Sequence, residues 1–247
     1  MTGSREVEGV RRGRPVIVLL AVMVASLAAL LLLPPIPQDQ SYHQFADQRT
    51  LLGIPNFWNV VSNLPFVVIG GIGLLRYRDS PATIVLFAGI FLTGFGSAYY
   101  HWNPTDGALF WDRLPMTLGF GAIMASVVAE RLDQRAGALL LWPLLALGLI
   151  SLLVWRHTGD LRLYAWVQFF PCLALPVLFA LYPAKYSNAF YWIVAALLYV
   201  IAKVLEYTDG AVYSAGHLLS GHTLKHLAAA AACFAILRYY QTRKPIA

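Results

Sequence analysis

Two pairs of polar residues, each spaced four apart, lie within apolar segments of this sequence. Ser97 and His101 form one pair, and His222 and His226 form the other. A spacing of four brings both side chains to one face of a helix, and two imidazoles at that spacing can bind a single metal ion. Asp112 follows His101 by eleven residues and adds a carboxylate. These residue types indicate metal-assisted hydrolysis.

The chemistry of such a set is specific. Three imidazoles with an open fourth position are typical of catalytic zinc, because structural zinc sites are usually closed by four protein ligands. Zinc lowers the pKa of bound water and polarises a carbonyl. A carboxylate such as Asp112 can take the proton of that water, and a hydroxyl such as Ser97 can donate to the oxyanion. We predict His101, His222 and His226 as zinc ligands, with Asp112 and Ser97 as catalytic residues.

The composition indicates that these residues lie in a membrane protein. Of 247 residues, 59% are hydrophobic and 12% are charged, whereas soluble domains have about 25% charged residues. The net charge of +6 comes from Lys and Arg in short runs between apolar segments, which indicates membrane topology and argues against nucleic-acid binding. Cys172 and Cys233 lie in apolar segments without a zinc-type spacing, so we expect buried, unpaired thiols.

A membrane-spanning helix needs about 20 mostly apolar residues, and the sequence contains eight such stretches. They cover residues 15–34, 56–75, 82–101, 109–129, 137–155, 163–182, 188–206 and 217–240. We therefore predict an all-α, polytopic helix bundle. Residues 1–35 form a cytoplasmic basic tail and an N-terminal transmembrane helix, and residues 36–247 form a seven-helix domain. The first helix is interpreted as a retained signal anchor, with cleavage as the alternative.

The positive charges also predict an orientation. With the N-terminus inside, twelve Lys or Arg residues near helix ends lie inside and four lie outside, so both termini are expected in the cytoplasm. His101 then ends its helix at the outer face, Asp112 begins the next one there, and His222 and His226 begin the last. Three separate segments thus place costly polar groups at one depth of the membrane.

Each residue also has a plainer interpretation. A lone histidine in a membrane helix is more often a hydrogen-bonding partner of a neighbouring helix than a ligand. Ser97 alone can bond back to its own helix, and Asp112 next to Arg113 can form an interfacial ion pair. The shared depth favours the metal site over these separate explanations. His43, in the long loop near residues 36–55, is expected to be solvated.

Two further polar positions predict ion pairs. Lys203 and Glu206 are three residues apart on one predicted helix, which favours a mutual pair. Lys225 is expected either to extend to the membrane surface or to neutralise an acid.

Together these motifs resemble the alkaline ceramidases, members of a wider superfamily of seven-helix membrane hydrolases that includes the adiponectin receptors. The resemblance is carried by Ser97-x3-His101, by Asp112 in Trp-Asp-Arg-Leu-Pro-Met, by His222-x3-His226, and by Phe57-Trp-Asn-Val-Val-Ser-Asn-Leu-Pro65, which is similar to the start of the first ceramidase helix. It covers roughly residues 43–240.

The resemblance implies that spans two to eight form the core and that the first helix is an addition. It implies zinc at His101, His222 and His226, Asp112 acting on the water, and Ser97 assisting the metal site or the oxyanion. The implied reaction is hydrolysis of the amide of a ceramide-like membrane lipid to a fatty acid and a sphingoid base. The sequence gives no indication of the oligomeric state.

Calcium is the point at which the sequence departs from this family. Animal alkaline ceramidases carry an acidic calcium-binding segment, Asp-Trp-x-Glu, before the first core helix and a Glu just before its Phe-Trp-Asn. Here the segment reads Phe-Ala-Asp47-Gln-Arg49, and Asn56 stands in the place of that Glu. Asp47 and Asn56 offer oxygen ligands for calcium, with less negative charge.

Two other classes of function compete with the hydrolase. A seven-helix receptor or sensor would bind a lipid or metal without turnover, but the short loops and tail offer little surface for signalling. A transporter is less favoured because the sequence shows no internal repeat. The compact chain is typical of a bacterial protein, which predicts an inner-membrane protein with its site near the periplasmic face.

Overall fold

The structure is a computed structural model that describes residues 3–246, with side chains described from residue 17 onward. The described residues form helices and no β-strand, which confirms the all-α prediction. The helices are α1 (Gly3–Leu32), α2 (Phe57–Val61), α3 (Leu64–Arg76), α4 (Pro81–Trp102), α5 (Asp106–Arg131), α6 (Gln134–Thr158), α7 (Arg162–Leu181), α8 (Phe190–Tyr207), α9 (Asp209–Ser214) and α10 (Gly221–Thr242).

All eight predicted spans contain helix, but the first, the second and the last differ in extent, the first because α1 already begins at Gly3. The second is divided into α2 and α3, because Pro65 has no N–H to continue the hydrogen-bonding pattern of α2. The last begins at Gly221 and not at 217, since the Ser220 side chain caps its first turn by accepting from the Thr223 N–H. His217 lies before this helix with a φ of +52°.

Length and composition confirm a multi-pass membrane bundle. Five helical stretches are long and apolar enough to cross a membrane: Phe57–Arg76, Pro81–Trp102, Gln134–Thr158, Arg162–Leu181 and Phe190–Tyr207. The apolar part of α1, Ile17–Leu32, is shorter. The two remaining long helices, α5 and α10, are less apolar because they carry Asp112, Arg113, His222, Lys225 and His226.

Close packing of α4 against α5 brings two of the predicted site residues together. A Cβ atom on Gly96 would lie 2.2 Å from the backbone oxygen of Trp111, and one on Gly89 would lie 2.9 Å from the α5 backbone. A side chain at either position would therefore push the two helices apart. Because neither glycine has a side chain, the two helices pack closely, and Ser97, next to Gly96, lies against the α5 turn that carries Asp112.

Helix α4 ends, and helices α5 and α10 begin, at the same end of the bundle, which we call the site end. Capping side chains determine where these helices begin. Thr105 caps α5 by accepting from the Ala108 N–H, only three residues after α4 ends at Trp102. His101 therefore lies in the last turn of α4, and Asp112 in the second turn of α5. The short connection keeps both residues at the same level of the bundle.

The prediction for the cysteines is partly wrong. Both are unpaired, but Cys172 is exposed on the surface of α7 and Cys233 is only half-buried. Phe169 and Leu173 are also exposed on α7. In a membrane bundle an apolar segment can face lipid as readily as protein, so the composition of the segment does not predict burial of its cysteine.

Candidate metal centre

Three imidazole rings converge between α4 and α10 at the site end. The Nε2 atom of His101 lies 3.1 Å from Nε2 of His226 and 3.3 Å from Nε2 of His222. Each of the three residues is at most 5% exposed, and a potential ligand atom from each lies within 4.8 Å of the others. The structure thus brings the three predicted zinc ligands to one point.

The spacing of these nitrogen atoms fits a tetrahedral metal ion. Zinc–nitrogen bonds of about 2.0–2.1 Å place two tetrahedral ligands about 3.3–3.4 Å apart, which is close to the observed separations. Hydrogen bonding alone explains the cluster less well. A neutral imidazole nitrogen offers one proton or one lone pair, whereas Nε2 of His101 has two neighbouring Nε2 atoms.

Two residues of the divided second span hold α10 in place. Ser62 Oγ lies 2.8 Å from Nδ1 of His226, so the Nε2 atom of that ring faces the cluster. A partner on the second ring nitrogen is the usual device that orients a histidine ligand. Asn59 accepts a hydrogen bond from the Thr223 hydroxyl at 2.7 Å. Sequence reasoning missed both roles, although polar residues within an apolar span were a visible signal.

The first turn of α10 is positioned by α9, a helix that the sequence did not predict. Asp209 Oδ1 accepts the His222 N–H at 2.7 Å, and its Oδ2 accepts the Ala46 N–H at 2.9 Å. A Cβ atom on Gly221 would lie 2.3 Å from the backbone oxygen of Leu205. The glycine therefore allows the chain to place His222 directly against the end of α8.

Asp112 and Ser97 lie beside the histidines. Both are buried, and both line a cavity of about 190 Å³ that His226 also borders. Ser97 lies on the face of α4 that packs against α5, so its hydroxyl and the Asp112 carboxylate share one wall of this cavity. The ion pairs of the described residues do not include Asp112, so the neighbouring Arg113 does not form an ion pair with it. This arrangement leaves the carboxylate available to accept a proton.

The long loop before α2 covers the histidine cluster at the site end. The ring centroid of Phe45 lies 4.6 Å from that of His101 and 4.7 Å from that of His222. The Tyr42 hydroxyl donates a 2.8 Å hydrogen bond to Glu206. The loop is therefore packed into the site and is more than a connection between helices.

The expectation that His43 is solvated is wrong. Its side chain is only 13% exposed. Its Nδ1 lies 2.9 Å from the Tyr100 hydroxyl and its Nε2 lies 3.0 Å from Asp106 Oδ1. Two partners separated from it by about 60 residues cannot be inferred from local sequence, which indicated only a polar loop.

The predicted calcium ligands are engaged by protein groups. Arg49 donates to Asp47 Oδ1 at 2.8 Å and to Oδ2 at 2.6 Å, and the Asn56 amide donates to the His101 backbone oxygen at 2.9 Å. Burial raises the pKa of the Asp47 carboxyl, but the Arg49 hydrogen bonds outweigh burial and hold this pKa below its ordinary value. Calcium takes six to eight oxygen ligands, so this donor set does not fit the ion.

We expect the protein to be insensitive to calcium, because Arg49 already supplies a positive charge to Asp47. Adding millimolar calcium to calcium-free protein should leave the melting temperature unchanged, because no calcium-linked stabilisation is expected, and should change any rate of amide hydrolysis by less than about twofold. Arg49→Gln should lower the melting temperature, since it leaves the buried Asp47 unpaired. A calcium-dependent rise in either quantity in the unmodified protein would contradict this expectation.

Glu206 forms the centre of a charged group next to the cavity. It pairs with Lys203 on the same helix and with Lys225 Nζ at 2.5 Å. The predicted pair of Lys203 with Glu206 is confirmed, as is the neutralisation of an acid by Lys225. All three residues line the same cavity as Asp112.

The fold and this cluster define a class of protein: a multi-pass helical membrane protein with three converging histidines next to a buried carboxylate. A comparison with protein-family models matches residues 51–237 to the Ceramidase family. The chain therefore belongs to the Ceramidase family, and the resemblance drawn from the motifs is confirmed. The family implies a hydrolase that acts on amide bonds. No curated protein matches the sequence.

Proposed function

We propose that this protein is a zinc-dependent membrane amidohydrolase that cleaves the amide bond of ceramide-like lipids to a fatty acid and a sphingoid base. The observation that carries the proposal is the convergence of His101, His222 and His226 beside a cavity lined by Asp112 and Ser97. Membership of the Ceramidase family supports an amide as the bond that is cleaved.

His101, His222 and His226 would hold the zinc ion. When bound, zinc with an open fourth position acidifies water and polarises a carbonyl. The donor set supports zinc because it consists of nitrogen atoms alone, which suit this metal better than magnesium or calcium.

The remaining steps belong to Asp112 and Ser97. The Asp112 carboxylate accepts the proton of the attacking water and then returns it to the leaving nitrogen, which departs as an amine. The Ser97 hydroxyl lines the same cavity and would donate its single proton to the developing oxyanion. Both side chains are buried, and the lower effective dielectric of a buried site strengthens both interactions.

The cavity suits a lipid whose polar part reaches the histidines. Its wall includes the polar groups of Ser97, Asp112 and His226 together with apolar side chains that can contact an acyl chain. The apolar members are Phe66, Met116, Phe169, Ala202 and Ala229. The substrate in this proposal is thus a membrane lipid, taken up by an integral membrane protein.

The domain division and the topology are also part of the proposal. Residues 36–247 would form the catalytic seven-helix domain, and residues 1–35 an added helix with a cytoplasmic tail. The family match begins after α1, and α1 is attached to α7 by the hydrogen bonds of Arg162 to the backbone oxygens of Leu31 and Leu33. The Lys and Arg distribution supports cytoplasmic termini and a site near the periplasmic face of a bacterial inner membrane.

Metal analysis combined with lipid mass spectrometry tests this function. Purified protein should contain one zinc per chain and should convert ceramide to equal amounts of fatty acid and sphingoid base. Zinc without product from any lipid amide would favour the receptor or sensor. Product formed at full rate by zinc-free protein would overturn the mechanism.

A further inference from the structure

A buried guanidinium group without a carboxylate partner borders the cavity. Arg113 is only 7% exposed and lines the cavity together with Asp112. Its Nη2 donates to the side-chain oxygen of Gln38 at 2.8 Å, whereas its Nη1 is buried and has no hydrogen-bond partner among the described residues. A buried and unmatched cation is costly, so this position points to an anionic group that arrives with a ligand.

Aromatic rings hold the guanidinium group in place. Its Cζ atom lies 4.5 Å from the ring centroid of Trp155 and 4.7 Å from that of Tyr164. Such contacts stabilise a cation through the faces of the rings and do not use its N–H donors. The planar arrangement of those donors matches a carboxylate better than a hydroxyl or a neutral amide.

The other charged residues of the cavity do not satisfy Arg113. Glu206 already has two cationic partners, Lys203 and Lys225. The remaining carboxylate, Asp112, forms no ion pair among the described residues and is assigned to proton transfer in the proposed function. The cavity wall therefore carries three cationic and two anionic side chains, and Arg113 is the cation without an acidic partner.

We propose that Arg113 binds a carboxylate of the lipid, an inference that rests on the proposed amidase function. This carboxylate has two possible sources, the head group of an N-acyl amino acid substrate and the fatty-acid product. In the first case water adds across the amide: the C–N bond breaks, a C–O bond forms, and the nitrogen leaves with a proton as the free amino acid. In the second case Arg113 holds the newly formed carboxylate before it is released.

Binding without turnover tests this subsite. The probes are N-palmitoylglycine, palmitate and the neutral N-palmitoylethanolamine, each titrated in detergent against Asp112→Asn protein and against the same protein carrying Arg113→Gln. Because no hydrolysis is needed, the result stands even if the amidase proposal fails. The expected result is an affinity loss of about tenfold or more for a carboxylate probe, with less than twofold change for the neutral probe.

The pattern of losses identifies the source of the carboxylate. A loss of affinity for N-palmitoylglycine alone assigns Arg113 to the head group of the substrate. A loss of affinity for palmitate alone assigns it to the fatty-acid product, and a loss for both probes means that one subsite binds both carboxylates. Unchanged binding of both carboxylates, or an equal loss for the neutral probe, would overturn the proposal. Arg113→Lys keeps the charge but loses the forked donors, so an intermediate loss is expected. It serves as the decisive variant if Arg113→Gln does not fold.

Discussion

Replacing His226 with alanine is expected to abolish zinc binding and to lower amide hydrolysis by on the order of a thousandfold or more. His226 contributes an Nε2 atom 3.1 Å from that of His101 and is oriented by Ser62 through its other nitrogen. Without this ring only two ligands remain, and two imidazoles do not hold zinc tightly enough to survive purification. Zinc content per chain and fatty-acid release should therefore fall together.

Two variants give this prediction its controls. His157→Ala removes an exposed imidazole at the end of α6 and should leave zinc content and activity unchanged. Ser62→Ala removes only the partner of His226 and should weaken zinc affinity by about 10- to 100-fold while the protein remains folded. A His226→Ala protein that still contains one zinc per chain would exclude His226 as a ligand.

Asp112→Asn is expected to lower kcat by about 10²- to 10⁴-fold while zinc content stays at one per chain. The amide is nearly isosteric with the carboxylate, but it cannot take a proton from water. The separation of activity from metal content distinguishes this variant from the histidine variants. The measurement is the single-turnover rate of lipid hydrolysis on protein whose zinc content has been determined.

Asp106→Asn is the matched control for Asp112→Asn. Asp106 lies on the same helix, but its side chain is 46% exposed and contacts His43 rather than the cavity. Its substitution should change the rate by less than about threefold. Equal effects of the two substitutions would mean that Asp112 acts through general electrostatics or stability and not as the proton acceptor.

Apolar length, helical periodicity and the charge-based topology together predicted the membrane-length helices and the common level of the three histidines, but not the short helix α9. Length identified every span, and spacings of four residues identified the faces that carry Ser97 with His101 and His222 with His226. Proline and glycine residues determine where some helices begin and end, which the length of an apolar segment does not predict. Pro65 ends α2 early, and Gly221 allows the last helix to begin against α8.

The contacts that the second span and the long loop make with distant segments were not predicted. Asn59 and Ser62 contact α10 across 164 residues, and nothing in their local sequence specifies that partner. His43, in the loop that covers the histidine cluster, was expected to be solvated, yet its ring contacts Tyr100 on α4 and Asp106 on α5. By contrast, Asp47 pairs with an arginine only two residues away, although it was predicted as a calcium ligand.

The long loop that covers the histidine cluster also determines which concentration of substrate, in water or in the bilayer, sets the rate. With Phe45 packed over His101 and His222, the way to the reacting centre from the aqueous phase is obstructed. For the lipid substrate proposed above, the expected supply is diffusion in two dimensions within the bilayer. Turnover should follow the mole fraction of substrate in the bilayer, so diluting it with inert phospholipid at constant bulk amount would slow the reaction.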